Sequence, residues 1–123
     1  MRGGILLMNE EMKSELIKLG IEIEKAGARF AGKYDRLKKY MTIHVEQNFY
    51  GKLMVALEEG DLVAAERYSH SLKGDFKNFE FGELTVYMER VNEILKTGSK
   101  EGVSEILADI DGTYKKICEV IEQ

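Results

Sequence analysis

Not one of the 123 residues is proline, so nothing in the chain forcibly interrupts an α-helix, and glycine and side-chain caps must supply the punctuation. They do so at intervals. Gly20, Gly32, Gly60 and Gly98 each follow a stretch of strong helix formers, and Gly60 and Gly98 are followed directly by Asp61 and Ser99. Asp and Ser are good N-caps, which predicts two tight helix-to-helix turns.

Between those marks the apolar spacing is helical. Tyr34, Leu37, Met41, Val45, Phe49, Leu53 and Leu57 form one stripe, and Leu62, Ala65, Ser69, Leu72, Phe76 and Phe79 a second. Leu84, Tyr87, Met88, Val91, Ile94 and Leu95 form a third, and Val103, Ile106, Leu107, Ile110, Tyr114, Ile117 and Ile121 a fourth, all at the i, i+3, i+4 spacing of an amphipathic helix. Helices are therefore expected over roughly 34–58, 61–80, 83–97 and 99–121. Short loops make consecutive helices antiparallel, and four such stripes are best buried in an up-down bundle. The predicted fold is all-α: an antiparallel four-helix bundle over 33–121 with a short N-terminal helical arm over 9–32. Leu16, Ile17, Leu19, Ile21, Ile23 and Phe30 of the arm are available to cover one end.

Residues 1–8 are expected to be disordered. Arg2-Gly3-Gly4 can be written in purine-rich codons of the ribosome-binding type, which makes Met8 a candidate start. A start methionine and the lack of a linker at either end point to a free-standing protein.

Length and charge narrow the function classes. One domain with one core suits this size. There are 18 Lys and Arg against 22 Asp and Glu, a net charge of −4, which argues against nucleic acid or anionic lipid as a partner. The single cysteine, Cys118, permits no internal disulfide and no multi-cysteine zinc site. No apolar run nears the ~18 residues of a membrane span. The cytoplasm is the expected compartment.

Of the two histidines, His70 sits in Ser69-His70-Ser71-Leu72-Lys73-Gly74, mid-way along the second bundle helix. It lies ~100° around the helix from Ser69, on the flank of the core, where its ring reaches water. Lys73, three residues on, places a cation beside it. Gly74, one turn on, costs a helix ~1 kcal/mol relative to alanine, so something needs close approach there. A neutral imidazole is a good nucleophile near neutral pH, and its N–P bond is labile enough to pass a phosphoryl group onward. Lys73 would offset the phosphoryl charge, and Gly74 would leave room for a partner's active site. Glu66, one turn before His70, is a candidate acceptor for Nδ1, leaving Nε2 to attack.

His70-Ser71-Leu72-Lys73-Gly74, followed by Asn78, Phe79 and Leu84, resembles the signature of histidine-containing phosphotransfer (HPt) domains, the shuttle modules of phosphorelays. The stretch Leu19 to Ala26, then Arg29-Phe30, then Ala56-Leu57-Glu58-Glu59-Gly60-Asp61, is similar to the family's leading arm and the turn before its histidine helix. The resemblance thus runs from about residue 15 to the end of the chain. It implies that His70 is phosphorylated on Nε2 by a receiver-domain aspartyl phosphate and hands the group to a second receiver. It further implies partners among response regulators and hybrid sensor kinases, no kinase or phosphatase activity in the chain itself, a monomer, and no cofactor, Mg²⁺ being expected only in the receiver.

The sequence departs from that pattern at three positions. Phe76 stands where the family favours a small residue, Lys77 lies two turns past His70 on its face, and Glu80 replaces a glycine that commonly follows the position of Phe79. Docking is expected on the face of His70, at Val63, Glu66, Arg67, Lys73, Gly74 and Lys77. The rival reading is a non-phosphorylated module of the same fold that binds or sequesters a receiver or kinase. His44, between Ile43 and Val45, is expected on a helix flank without a role. Neither histidine has the Glu-x-x-His spacing of a di-metal bundle, since Met41 and Arg67 stand at those positions. Cys118 is expected to act as a small core hydrophobe.

Overall fold

The computed structural model describes residues 8–123. The proposed disorder and alternative start therefore concern residues 1–7, which lie outside the described ones, except at Met8. That side chain is only 6% exposed and joins the buried cluster that includes Met12 and Leu16, so Met8 itself packs into the fold.

Seven helices account for the described fold, with no strand among those residues: α1 Glu10–Lys18, α2 Ile23–Arg29, α3 Tyr34–Gln47, α4 Phe49–Glu59, α5 Leu62–Asn78, α6 Glu83–Lys96 and α7 Val103–Ile121. α1 opens on Asn9, whose Oδ1 accepts from the Met12 amide at 2.8 Å, with Glu10 and Glu11 in the first turn and Lys18 in the last, charges that complement the helix dipole. Leu16, Ile21 and Ile23 of the arm are buried as expected, but Ile17 is 54% exposed. One helical step of ~100° from Leu16 carries it off the buried face.

The helix expected over 34–58 is two helices. Asn48 takes the left-handed conformation (φ 52°, ψ 45°), ends α3, and caps α4 by accepting from the Gly51 amide at 3.2 Å. Asparagine tolerates that region and its short side chain serves the next helix. The break re-aims the stripe: Leu37, Met41 and His44 are buried before it, and Tyr50, Leu53 and Ala56 after it, while Val45, Phe49 and Leu57 are half-buried.

The turn at Gly60-Asp61 is as tight as the capping pattern predicts, with Gly60 left-handed (φ 73°) and Asp61 Oδ1 accepting from the Ala64 amide at 3.1 Å. The turn at Gly98 is longer than predicted. Ser99 Oγ accepts from the Glu101 amide at 3.0 Å, a local turn rather than a helix cap, and α7 begins only after Gly102 (φ 85°). The hydroxyl's competing bond to a nearby amide diverts the chain.

α5 packs between α4 and α6, α6 against α7, and α7 against α3 and α1, so the order of packed neighbours returns to the helix pair α3–α4 and encloses the core. The seven predicted stripe residues of α7 are all buried, as are Leu84, Met88, Val91 and Leu95 of α6. Among the described residues no helix is long and apolar enough to cross a membrane.

Candidate functional site

α5 buries Ala65, Ser69, Leu72 and Phe76 and so turns its opposite face outward. On that face the structure brings together Val63, Arg67, His70 and Lys77, all exposed, with Glu66, Lys73 and Gly74 half-buried at its edges. Val63 is 71% exposed. The imidazole of His70 makes no hydrogen bond or ion pair among the described residues. Three cations, Arg67, Lys73 and Lys77, share the face with it, a local excess of positive charge in a chain of net charge −4.

Gly74, like Gly112 of α7, differs from the helical glycines that meet a neighbouring side chain. A Cβ on Gly27 would lie 2.5 Å from the Tyr34 ring, and one on Gly51 2.5 Å from the Asn48 side chain, whereas one on Gly74 would meet nothing within 4 Å. Nothing inside the molecule requires that glycine.

Beneath the face lies a polar network. Asn92 of α6 is fully buried. Its Nδ2 donates to Ser69 Oγ at 2.8 Å and faces the Glu66 carbonyl and carboxylate Oε2, both at 3.2 Å, while its Oδ1 accepts from Lys73 Nζ at 3.4 Å. Ser69 Oγ in turn donates to the Glu66 carbonyl at 2.9 Å. Three oxygens on one side of the amide and an ammonium on the other fix which end is nitrogen. The Glu66 carboxylate thus faces Asn92 and makes no hydrogen bond to His70, unlike the contact expected from the sequence. Asn92 was legible in part: it is four residues after Met88 and three before Leu95, on the buried row of α6.

Lys77 Nζ is 3.8 Å from Glu89 Oε2, with both side chains exposed, a contact worth little. Glu80 adopts a positive φ of 55°, the conformation a glycine takes freely. Its Oε2 accepts from Arg29 Nε at 2.6 Å, and its carbonyl accepts from the Glu22 amide at 3.1 Å. This departure from the expected glycine is held by the arm.

His44 is not a flank residue. It is 2% exposed, with Nδ1 2.8 Å from Asp75 Oδ2 and Nε2 2.8 Å from the Tyr114 hydroxyl, and the rings of Phe76, Phe79 and Phe81 surround it. Burial pushes the Tyr114 phenol far above its usual pKa, so the hydroxyl stays protonated; the Asp75 carboxylate accepts from Nδ1–H, while Nε2 and the Tyr114 hydroxyl pair with each other. The spacing Leu37, Met41, His44 carried the signal. Cys118 is half-buried, and burial raises its thiol pKa, which keeps it protonated and unreactive.

Three grooves of about 420, 440 and 420 Å³ border α5: one runs between Leu62, Val63 and Glu66 and Leu95, Lys96 and Gly98, one between Val55 and Tyr68, and one between Tyr40 and His44 and Asp75 and Asn78; His70 lines none of them. The arrangement leaves the His70 imidazole exposed on a helix face outside those grooves, open to another macromolecule rather than enclosed in a cleft that would hold a small substrate. No protein-family model, no curated protein and no solved structure matches the chain.

Proposed function

We propose that the chain is a histidine-containing phosphotransfer module, which relays phosphoryl groups between receiver domains through His70. In this reading α3 with α4, then α5, α6 and α7, make an up-down four-helix bundle, and α1 and α2 its arm, in a monomeric cytoplasmic protein. One observation carries the reading: an exposed imidazole without an internal partner stands one turn from a helical glycine whose missing side chain leaves open space.

The chemistry follows from that face. Nε2 of neutral His70 attacks phosphorus of a receiver aspartyl phosphate. The Nε2–P bond forms as the P–O bond breaks, and the aspartate leaves as a carboxylate. Lys73 moves onto the phosphoryl oxygens, and Gly74 admits the receiver's active-site rim. The receiver supplies Mg²⁺. The reverse transfer to a second receiver aspartate uses the same contacts, with Val63, Glu66, Arg67 and Lys77 as the docking surface.

The test is phosphoryl transfer from a phosphorylated receiver domain to the wild type and to His70→Gln, with an acid-lability assay of the product. Acid-labile label on the wild type and none on the variant is the expected outcome. No label on the wild type from several competent receivers that nevertheless bind it would leave the sequestering module as the reading.

A further inference from the structure

We infer that Asn92 is a positioning residue for phosphotransfer: it holds the Glu66 carboxylate and the Lys73 ammonium on opposite ends of one buried amide, and so keeps Lys73 available to the phosphoryl group on His70. The inference rests on the reading of His70 as phosphoacceptor.

Glu66 and Lys73 are seven residues apart on α5, two turns along the same edge of the helix. Opposite charges so placed, with long side chains, would close on each other if nothing stood between them. Asn92 stands between them, its Nδ2 3.2 Å from Glu66 Oε2 and its Oδ1 3.4 Å from Lys73 Nζ. The two contacts differ in kind. The Nδ2 end is anchored, since it also donates to Ser69 Oγ at 2.8 Å and the whole side chain is fully buried. The Oδ1 end meets the ammonium at the long limit of a hydrogen bond, so exchanging it for a phosphoryl oxygen loses little and gains a charge-assisted bond. Asn92 therefore acts as the resting acceptor for Lys73. A carboxylate there would bind the ammonium too tightly, and an apolar residue would release it to Glu66.

Phosphoramidate tests this without a receiver. Nε2 of His70 bonds to phosphorus as the donor's N–P bond breaks and ammonia departs, the imidazole keeping its Nδ1 proton. Wild type, Asn92→Ala, Lys73→Ala and the double variant are compared for the rate of acid-labile labelling of His70, each at a temperature where circular dichroism finds it folded. Asn92→Ala is expected to slow labelling about fivefold, the scale of one lost contact, and the double variant to be no slower than Lys73→Ala. Asn92→Ala labelled as fast as wild type, or losses that multiply in the double variant, overturns the inference. Should Asn92→Ala not fold, NMR of wild type and Lys73→Ala decides: phosphorylation shifts the Asn92 side-chain amide resonances in wild type, and no such shift occurs in Lys73→Ala. Resonances unmoved in wild type overturn the proposal. A labelled wild type indifferent to Asn92 refutes this inference alone, whereas failure of receiver transfer refutes the relay.

Discussion

Gly74 shows how much a single residue reports when its surroundings are known. An alanine methyl would touch nothing there, so Gly74→Ala gains helix propensity without strain and should raise stability by about 1 kcal/mol, read from the urea midpoint. The same methyl stands in the space assigned to the receiver, so transfer from a phosphorylated receiver should fall by an order of magnitude or more. Stability and transfer moving in opposite directions would mark the glycine as kept for a partner; unchanged transfer would remove it from the site. Residues like this one were legible because their signal is local: His70, Lys73 and Gly74 lie within five positions. Asn92 and His44 were legible only in part: their spacing puts them on buried rows, but a polar side chain on an apolar stripe reads as an exception until its partners on other helices are seen.

At the scale of elements, local chemistry predicted well where one residue decides and poorly where packing does. The Gly60-Asp61 turn followed from a left-handed glycine and an aspartate cap. The break at Asn48 was hidden because Val45, Phe49, Leu53 and Leu57 continue a helical spacing straight through it. The turn between α5 and α6 is a third case, in which Glu80 holds a glycine-like conformation (φ 55°) and reaches Arg29 of the arm at 2.6 Å. Two variants separate those effects. Glu80→Ala keeps the strained backbone and loses the tie to Arg29, and should cost about 1 kcal/mol. Glu80→Gly loses the tie but relieves the backbone, and should lie within about 0.5 kcal/mol of wild type. Equal losses in urea unfolding would show that the positive φ carries no strain.

For the molecule as a whole, the helical period and glycine punctuation were enough to foresee an all-helical chain, because burying amphipathic stripes against one another is the dominant favourable term in folding. What they could not foresee is the polar tie at its centre. His44 of α3 bonds Asp75 of α5 and Tyr114 of α7, so one imidazole joins three helices inside an aromatic shell. His44→Ala would open a cavity among Phe76, Phe79, Phe81 and Tyr114 and leave the Asp75 carboxylate and the Tyr114 hydroxyl without this partner. Cavity and lost bonds together should cost about 3 kcal/mol or more. His70→Gln alters an exposed side chain with no internal partner, and should change stability by about 0.5 kcal/mol at most. Urea unfolding of the two variants side by side checks the contrast. A His44→Ala midpoint near wild type would mean the buried triad is dispensable to the fold, and a large loss in His70→Gln would mean its imidazole serves packing rather than a partner.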